Sequence, residues 1–478
     1  MKKFGMFLVC MLLALAVIGC GADEQEILLS DNGVSVDGGS SDAVYVDHDI
    51  VYYEAGQGIA YGEGTAEDEH SAEEAAKHTV VHIAKAGTYR IKGKLSAGQI
   101  AVDLGKDAKE NPEAVVTLIL DGADITCSVA PAVIFYNVYE CGDKETPTKD
   151  VDTSAAGANV ILAKGSVNNV NGSYVARIYE PDSVVLNPEG TEVEDAKKLH
   201  KYDAAFYSKR SMNVGGEGVL NIVAANEGLD SEMHLTINGG EINILSGNDG
   251  INTNEDGVSV TTVNGGTLNI RVTGETGEGD GIDSNGWLVI NGGKVFAQAC
   301  GTSMDSGIDS DMGIHINGGT VLATGNMFDR VEAGGQTHLT FRTNGIQGEL
   351  TLKKENDTVA TFNIENRATN LLYSSPDLTD KGYTLWSGDQ QLTVQGGMTG
   401  GRPGFGGERP EGMPEFGGER PEGMRPPKGM QTSEGMPEFN GERPPFPEGE
   451  VPFEPAPFEG KVPGGGRPPF DKEMSPKE

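Results

Sequence analysis

Four residues, Asp230, Asn252, Asp283 and Asp309, each follow a glycine and an aliphatic side chain: Gly228-Leu229-Asp230, Gly250-Ile251-Asn252, Gly281-Ile282-Asp283 and Gly307-Ile308-Asp309. Asn248, Asp249, Asp280, Asp305 and Asp311 lie within a few residues of them. Side chains alternate along a strand, so an acid or amide after an inward aliphatic residue faces out. From 220 to 329 there are 15 Asp and Glu, and Arg271 and Lys294 are the only Lys or Arg to set against them. Two carboxylates one strand spacing apart, about 5 Å in water, repel by roughly 1 kcal/mol, and by several times more at a lower effective dielectric. A column of them needs something positive between its members. Calcium takes oxygen ligands at about 2.4 Å, so one ion between two carboxylates spans about 4.8 Å, the distance between neighbouring strands. Carbonyls of glycine-rich turns would complete its shell. The nine acid and amide residues are therefore candidate calcium ligands, against the plainer alternative of a solvated acidic face. The nonapeptide calcium-roll motif is absent.

The elements that position these residues repeat in phase with them. Asn-Gly-Gly occurs at Asn238, Asn264, Asn291 and Asn317, at intervals of 26, 27 and 26 residues. A fixed period of this size means stacked supersecondary units. Within one round Trp287 to Ile290 alternates, Asn291-Gly292-Gly293 bends the chain, and Lys294 to Ala297 resumes the β pattern. Three short strands and three turns in about 26 residues make one coil of a parallel β-helix. A propeller blade needs roughly 40 residues. Leu229, Ile251, Ile282 and Ile308 would stack inward. Asn-Gly tolerates positive φ and suits the corner. Tyr202 to Ile222 is a degenerate first copy. Leu339 to Leu352 and Ala360 to Ile364 read as strands, and Leu371 to Trp386 as a cap.

Around this array the chain changes character. Lys2 and Lys3 precede an apolar run that ends in Val17-Ile18-Gly19-Cys20, which describes an export signal, residues 1–20, with a lipobox-like end and Cys20 as the lipidated residue. Residues 21–43 are acidic and polar and read as a linker off the membrane, and residues 44–397 as the β-helix domain. Residues 398–478 hold 17 of the 23 prolines, so this tail is expected to be disordered. The protein is expected to be exported, lipid-anchored and exposed at the cell surface. A net charge of −36 argues against nucleic acid and anionic lipid as partners, leaving the lipid anchor as the sole membrane contact. Cys127, Cys141 and Cys300 form neither a disulfide framework nor a zinc site, with a Cys127–Cys141 bridge less favoured than thiols.

Catalysis is not indicated. A calcium-dependent polysaccharide lyase would need a base, with Arg271 the first alternative beside Lys294 and Arg330, and each is more simply a surface residue. No Ser/His/Asp or metal-histidine motif occurs, and with this many acids a hydrolase pair would discriminate nothing.

Between roughly Val44 and Gly396 the chain resembles a family, the bacterial carbohydrate-binding domain-containing proteins of clostridial type. The resemblance rests on Ala86 to Gly93 with Gly98 to Asp103, on Asp203 to Lys209, on the Gly-Ile-Asp and Asn-Gly-Gly rounds, and on Leu372 to Pro376. It implies an exported, calcium-binding right-handed parallel β-helix, shaped like the pectate lyases. It also implies polysaccharide as partner, polyuronate or a cellulose-like glycan among the candidates, without established lytic activity. Tyr207 and Asn252 depart from the acidic column. The reading is a non-catalytic, cell-surface, calcium-bearing polysaccharide binder. Its alternatives are a pectate-type lyase and a structural or adhesive envelope protein.

Overall fold

The computed structural model describes residues 24–37, 42–379, 382–393 and 398–399. The leader with Cys20 and the tail beyond 399 lie outside them. The described chain is almost entirely β. One α-helix, Ala72–Ala75, is capped by the Ser71 side chain. Among the described residues no helix is long and apolar enough to cross a membrane.

The strands build three parallel ladders, and each round of sequence gives one strand to each. Glu227–Ser231 is followed by Leu235–Ile237 and Glu241–Ser246, and the next round supplies Ile251–Thr253, Val260–Val263 and Thr267–Val272. Like pairs with like, so Leu229 registers on Ile251, and Ile251 on Ile282. The first ladder runs back through Ala204–Ser208, Val133–Asn137 and Gly98–Asp103 to Thr79–Ile83. Its inward row, Phe206, Leu229, Ile251, Ile282 and Ile308, is buried in one continuous core. Full burial of such a side chain contributes about 1.5–3 kcal/mol, and thin stacked rounds hold together by summing that term.

The Asn-Gly-Gly corners join the second and third strands of a round, but their two residue types divide the work differently from expectation. The second glycine carries the positive φ: 88° at Gly240, 84° at Gly266, 78° at Gly293 and 84° at Gly319. A Cβ on Gly293 would stand 2.8 Å from the Gly266 carbonyl oxygen, so the corner needs glycine for space as well as for φ. The asparagines stack instead. Asn264 Nδ2 donates to Asn238 Oδ1 at 2.9 Å, Asn291 to Asn264 at 2.9 Å and Asn317 to Asn291 at 2.8 Å. A second ladder runs Asn269 to Asn243 to Asn221 to Asn169, with links of 2.7, 2.9 and 2.9 Å.

Both ends differ from the sequence reading. Gln25–Leu29 lies inside the stretch read as linker, yet it pairs in parallel with Gly87–Leu95. Ile27 and Leu29 bury completely or nearly so, which the acidic residues around them disguise in composition. At the far end the parallel order stops. His338–Lys354 and Asp357–Ser374 form a long antiparallel hairpin whose second strand also pairs antiparallel with Thr320–Gly325. Leu350, Phe362, Tyr373 and Leu385 give that hairpin a core of its own. Cys127, Cys141 and Cys300 are free thiols.

Ile282→Ala removes a fully buried side chain between stacked neighbours. It should cost about 2–5 kcal/mol. Denaturant unfolding against the unmutated protein measures this, and a loss well under 1 kcal/mol would contradict the stacked core.

Candidate cation and carbohydrate site

The outward row of the first ladder sits one residue after the aliphatic one. In register it reads His82, Ala101, Ile134, Tyr207, Asp230, Asn252 and Asp283. The row changes from apolar to acidic along its length. Ala101, Ile134 and Tyr207 are buried beneath chain that crosses the ladder, with His200 stacked on Tyr202 and Tyr202 packed edge-on against Tyr136 and Tyr207. Asp230 is 0% exposed and Asn252 6%. Asp283 and Asp309 are half-buried and Asp311 is exposed. Asp309 and Asp311 continue the row through backbone N–H donation to the Ile282 and Ser284 carbonyls, at 2.7 and 3.1 Å. The acidic part of the column thus emerges from the protein as it descends.

The neighbouring acids do a different task. Asp249 Oδ1 accepts from the Asp280 N–H, Asp280 Oδ1 from the Ser306 N–H and Asp305 Oδ2 from the Gly279 N–H, all at 2.6 Å. These carboxylates tie one round to the next. Asn248 sits in the same turn and donates its N–H to the Asn226 carbonyl at 3.0 Å. The structure therefore gathers Asp230, Asn252, Asp283 and Asp309 in one row, adds Asp311 at its open end, and sets the other four candidates beside it.

Sequence reasoning missed Asp329, Glu227, Asp203 and Lys201. Asp329 Oδ2 accepts from the Ser310 N–H at 3.1 Å, which brings it to the open end. Glu227 Oε1 accepts from Asn252 Nδ2 at 3.1 Å, and Asp230 Oδ1 from Asn254 Nδ2 at 2.6 Å. The remaining oxygens, Glu227 Oε2, Asp230 Oδ2 and Asn252 Oδ1, are buried without a partner. Glu227 is the one signal within reach, since it precedes Gly228 as Asp249 and Asp280 precede Gly250 and Gly281. Lys201 comes from a stretch without a repeat, and Asp203 stands at the start of the degenerate first copy.

Burial, with neighbouring carboxylates adding to it, raises the acids of this face. Asp283 is pushed up to about 6, Glu227 and Asp309 to about 7 and Asp280 to about 8. Asp230 and Asp249 are raised well above the usual carboxylate range by the same causes. Among the described residues no three His, Cys, Asp or Glu side chains gather as a ready-made metal cage. The column spaces its acids one rung apart instead. The oxygen-only donors suit a hard cation such as calcium.

Arg271 does not join the acids. It lies in Thr267–Val272, on the third ladder, and its Nε pairs with Glu365 at 3.0 Å. Arg330 pairs with Glu332 at 2.6 Å, and Lys294 lies exposed on the third ladder. Neither tryptophan stands alone as a flat platform: Lys353 Nζ lies 4.4 Å from the centre of the Trp386 ring, and Trp287 is half-buried in the second ladder.

The raised carboxylates set a pH dependence. Without metal, the folded protein keeps protons up to about pH 6 to 8 that the unfolded chain has released near pH 4. Stability therefore falls as pH rises through that window. Buried His200 and His234, pushed down to about 4, act oppositely below pH 6.5. In a chelator the melting temperature should drop between pH 6.5 and 8; a rise over that interval would contradict the electrostatics described.

Residues 77–399 match the model of a family described as carbohydrate-binding domain-containing protein. A carbohydrate-binding domain-containing protein of Acetivibrio thermocellus is 28% identical over 234 residues, which are 49% of this chain and 62% of that one. The chain thus spans less than two thirds of that relative. A solved polysaccharide lyase-like protein from C. thermocellum, a gadolinium derivative, superposes with a TM-score of 0.38 at 20% identity, over 64% of this chain and 91% of that one. The family match alone extends over well more than half of the sequence, and the protein belongs to the carbohydrate-binding domain-containing proteins.

Proposed function

We propose that this protein binds acidic polysaccharide at the cell surface, without cleaving it, through calcium held at the open end of the acidic column. The observation that carries the reading is the group Asp283, Asp309, Asp311 and Asp329. Burial, and after it the neighbouring carboxylates, raises the proton affinity of Asp283, Asp309 and Asp329. Among the described residues no Lys or Arg pairs with Asp283, Asp309 or Asp329, and the face turns exposed there. Calcium between rungs would relieve the repulsion, with Asp283 and Asp309 as neighbouring-rung ligands and Asp311 and Asp329 closing from the side. It would also give a uronate carboxylate a positive target on a chain of net charge −36. Membership in a carbohydrate-binding family supports the choice of glycan.

The winding belongs to the same proposal. Three strands per round, each on its own parallel ladder, support a right-handed parallel β-helix, since crossovers between parallel strands are overwhelmingly right-handed. A non-catalytic role is supported by the placing of Arg271, whose guanidinium is held by Glu365 on another ladder. Export and lipidation rest on Val17-Ile18-Gly19-Cys20. Cys20→Ser should abolish incorporation of labelled fatty acid, and retained label would refute Cys20 as the anchor.

Calorimetric titration should show calcium binding, and calcium should raise the melting temperature. Retention on immobilised polygalacturonate should require calcium and vanish in EDTA. Asp309→Asn should weaken calcium binding by about a decade, the scale on which a change in ligand charge acts. Absence of any calcium effect on melting or retention would refute the reading, and unsaturated products forming from polygalacturonate would replace it with a lyase.

A further inference from the structure

The buried end of the column is a different electrostatic problem from the open end. Asp203, Glu227 and Asp230 crowd there, and Asp230 and Glu227 are 0% and 5% exposed. Glu227 Oε2 and Asp230 Oδ2 have no hydrogen-bond donor, and neither has the Asn252 amide oxygen between them. Buried ions left in this state are costly unless a counter-charge is close. The chain supplies one. Lys201 Nζ donates to Asn254 Oδ1, and the other amide atom of Asn254 holds Asp230. The same ammonium lies 3.7 Å from Asp203 Oδ2, where Arg177 also approaches to 3.8 Å.

We propose that the Lys201 ammonium is a built-in counter-ion occupying the buried end of the column, in the place where a divalent cation would otherwise bind. The inference deepens the cation reading of this face, and its test is separable from it. Two features of the same rungs support it. Asn252 stands where the rows before and after carry Asp230 and Asp283, so one carboxylate is missing where an ammonium has been added. Tyr207, the next residue up the row, is neutral and donates its hydroxyl to Glu232 at 2.7 Å. Burial alone would lower the Lys201 pKa, yet Glu227, Asp230, Asp203 and Glu232 outweigh it and the group is raised. It therefore stays charged and does not serve as a base. Calcium is then needed only lower down the row, beyond the rungs that the Lys201 hydrogen bond and ion pair hold.

The test compares the full chain with Lys201→Met and Lys201→Arg by calcium calorimetry and by melting in EDTA and in calcium. Lys201→Met is expected to bind one calcium more than the unmutated protein, to melt lower in EDTA, and to recover when calcium is added. Lys201→Arg keeps the charge and is expected to show the original stoichiometry. Unchanged stoichiometry in Lys201→Met, or melting that calcium does not recover, overturns the inference. Where Lys201→Met does not fold in EDTA, the pair Lys201→Met with Asp230→Asn is expected to fold, because one carboxylate less lowers the charge to be offset. A pair as unstable as the single variant counts against the proposal. If the unmutated chain binds no calcium but Lys201→Met gains one ion, the proposed function falls and this inference stands.

Discussion

The distance between hydrogen-bonded strands, about 4.8 Å, governs this protein. Once successive rounds stack in register, every residue type is repeated at that spacing, whatever its chemistry. For Ile251 on Ile282 the repetition is favourable, because each aliphatic side chain buries its neighbour. For asparagine it is favourable too, because an amide donates and accepts, so Asn238 to Asn317 close a chain of hydrogen bonds along the corner. For aspartate it is adverse. The same register that builds the core brings like charges within reach of one another, and the outward acids and those beside them must be relieved by burial as the neutral acid, by a counter-ion, or by backbone donors. The structure uses backbone donors for Asp249, Asp280 and Asp305 and an ammonium near Asp230.

Much of this architecture is legible from residue order alone. The Gly-Ile-Asp rounds place an aliphatic row beside an acidic one, and strand register confirms both. What escaped has a physical reason. Gln25–Leu29 is a strand within acidic surroundings, where composition outvotes two buried aliphatic residues. Asn-Gly-Gly announces a corner, but only the backbone shows that glycine takes the positive φ while asparagine makes the ladder. Lys201 comes from a non-repeating stretch that folds back over the first ladder, and no periodicity marks a residue delivered by a crossing segment. Glu227 was within reach, being in phase with Asp249 and Asp280 at the residue before each glycine.

The outward row also shows how one surface takes on two characters. Its upper half, Ala101, Ile134 and Tyr207, is roofed by chain that carries Tyr202 and His200, and belongs to the same continuous core as the inward row. Its lower half is left progressively open. Covering chain, rather than any change in the ladder itself, decides where the face stops being interior and becomes a surface for ligands.

The antiparallel hairpin at the far end has a consequence of another kind. A stack of parallel strands has no intrinsic length: its last rung offers the same unpaired N–H and C=O groups as every rung before it, and is a template for a neighbouring molecule. Asp357–Ser374 meets Thr320–Gly325 with reversed direction and then folds onto His338–Lys354 and a core of its own. The repeat cannot propagate across that reversal on the third ladder. The hairpin acts as a chain terminator, making an open-ended polymer geometry into a molecule of finite length.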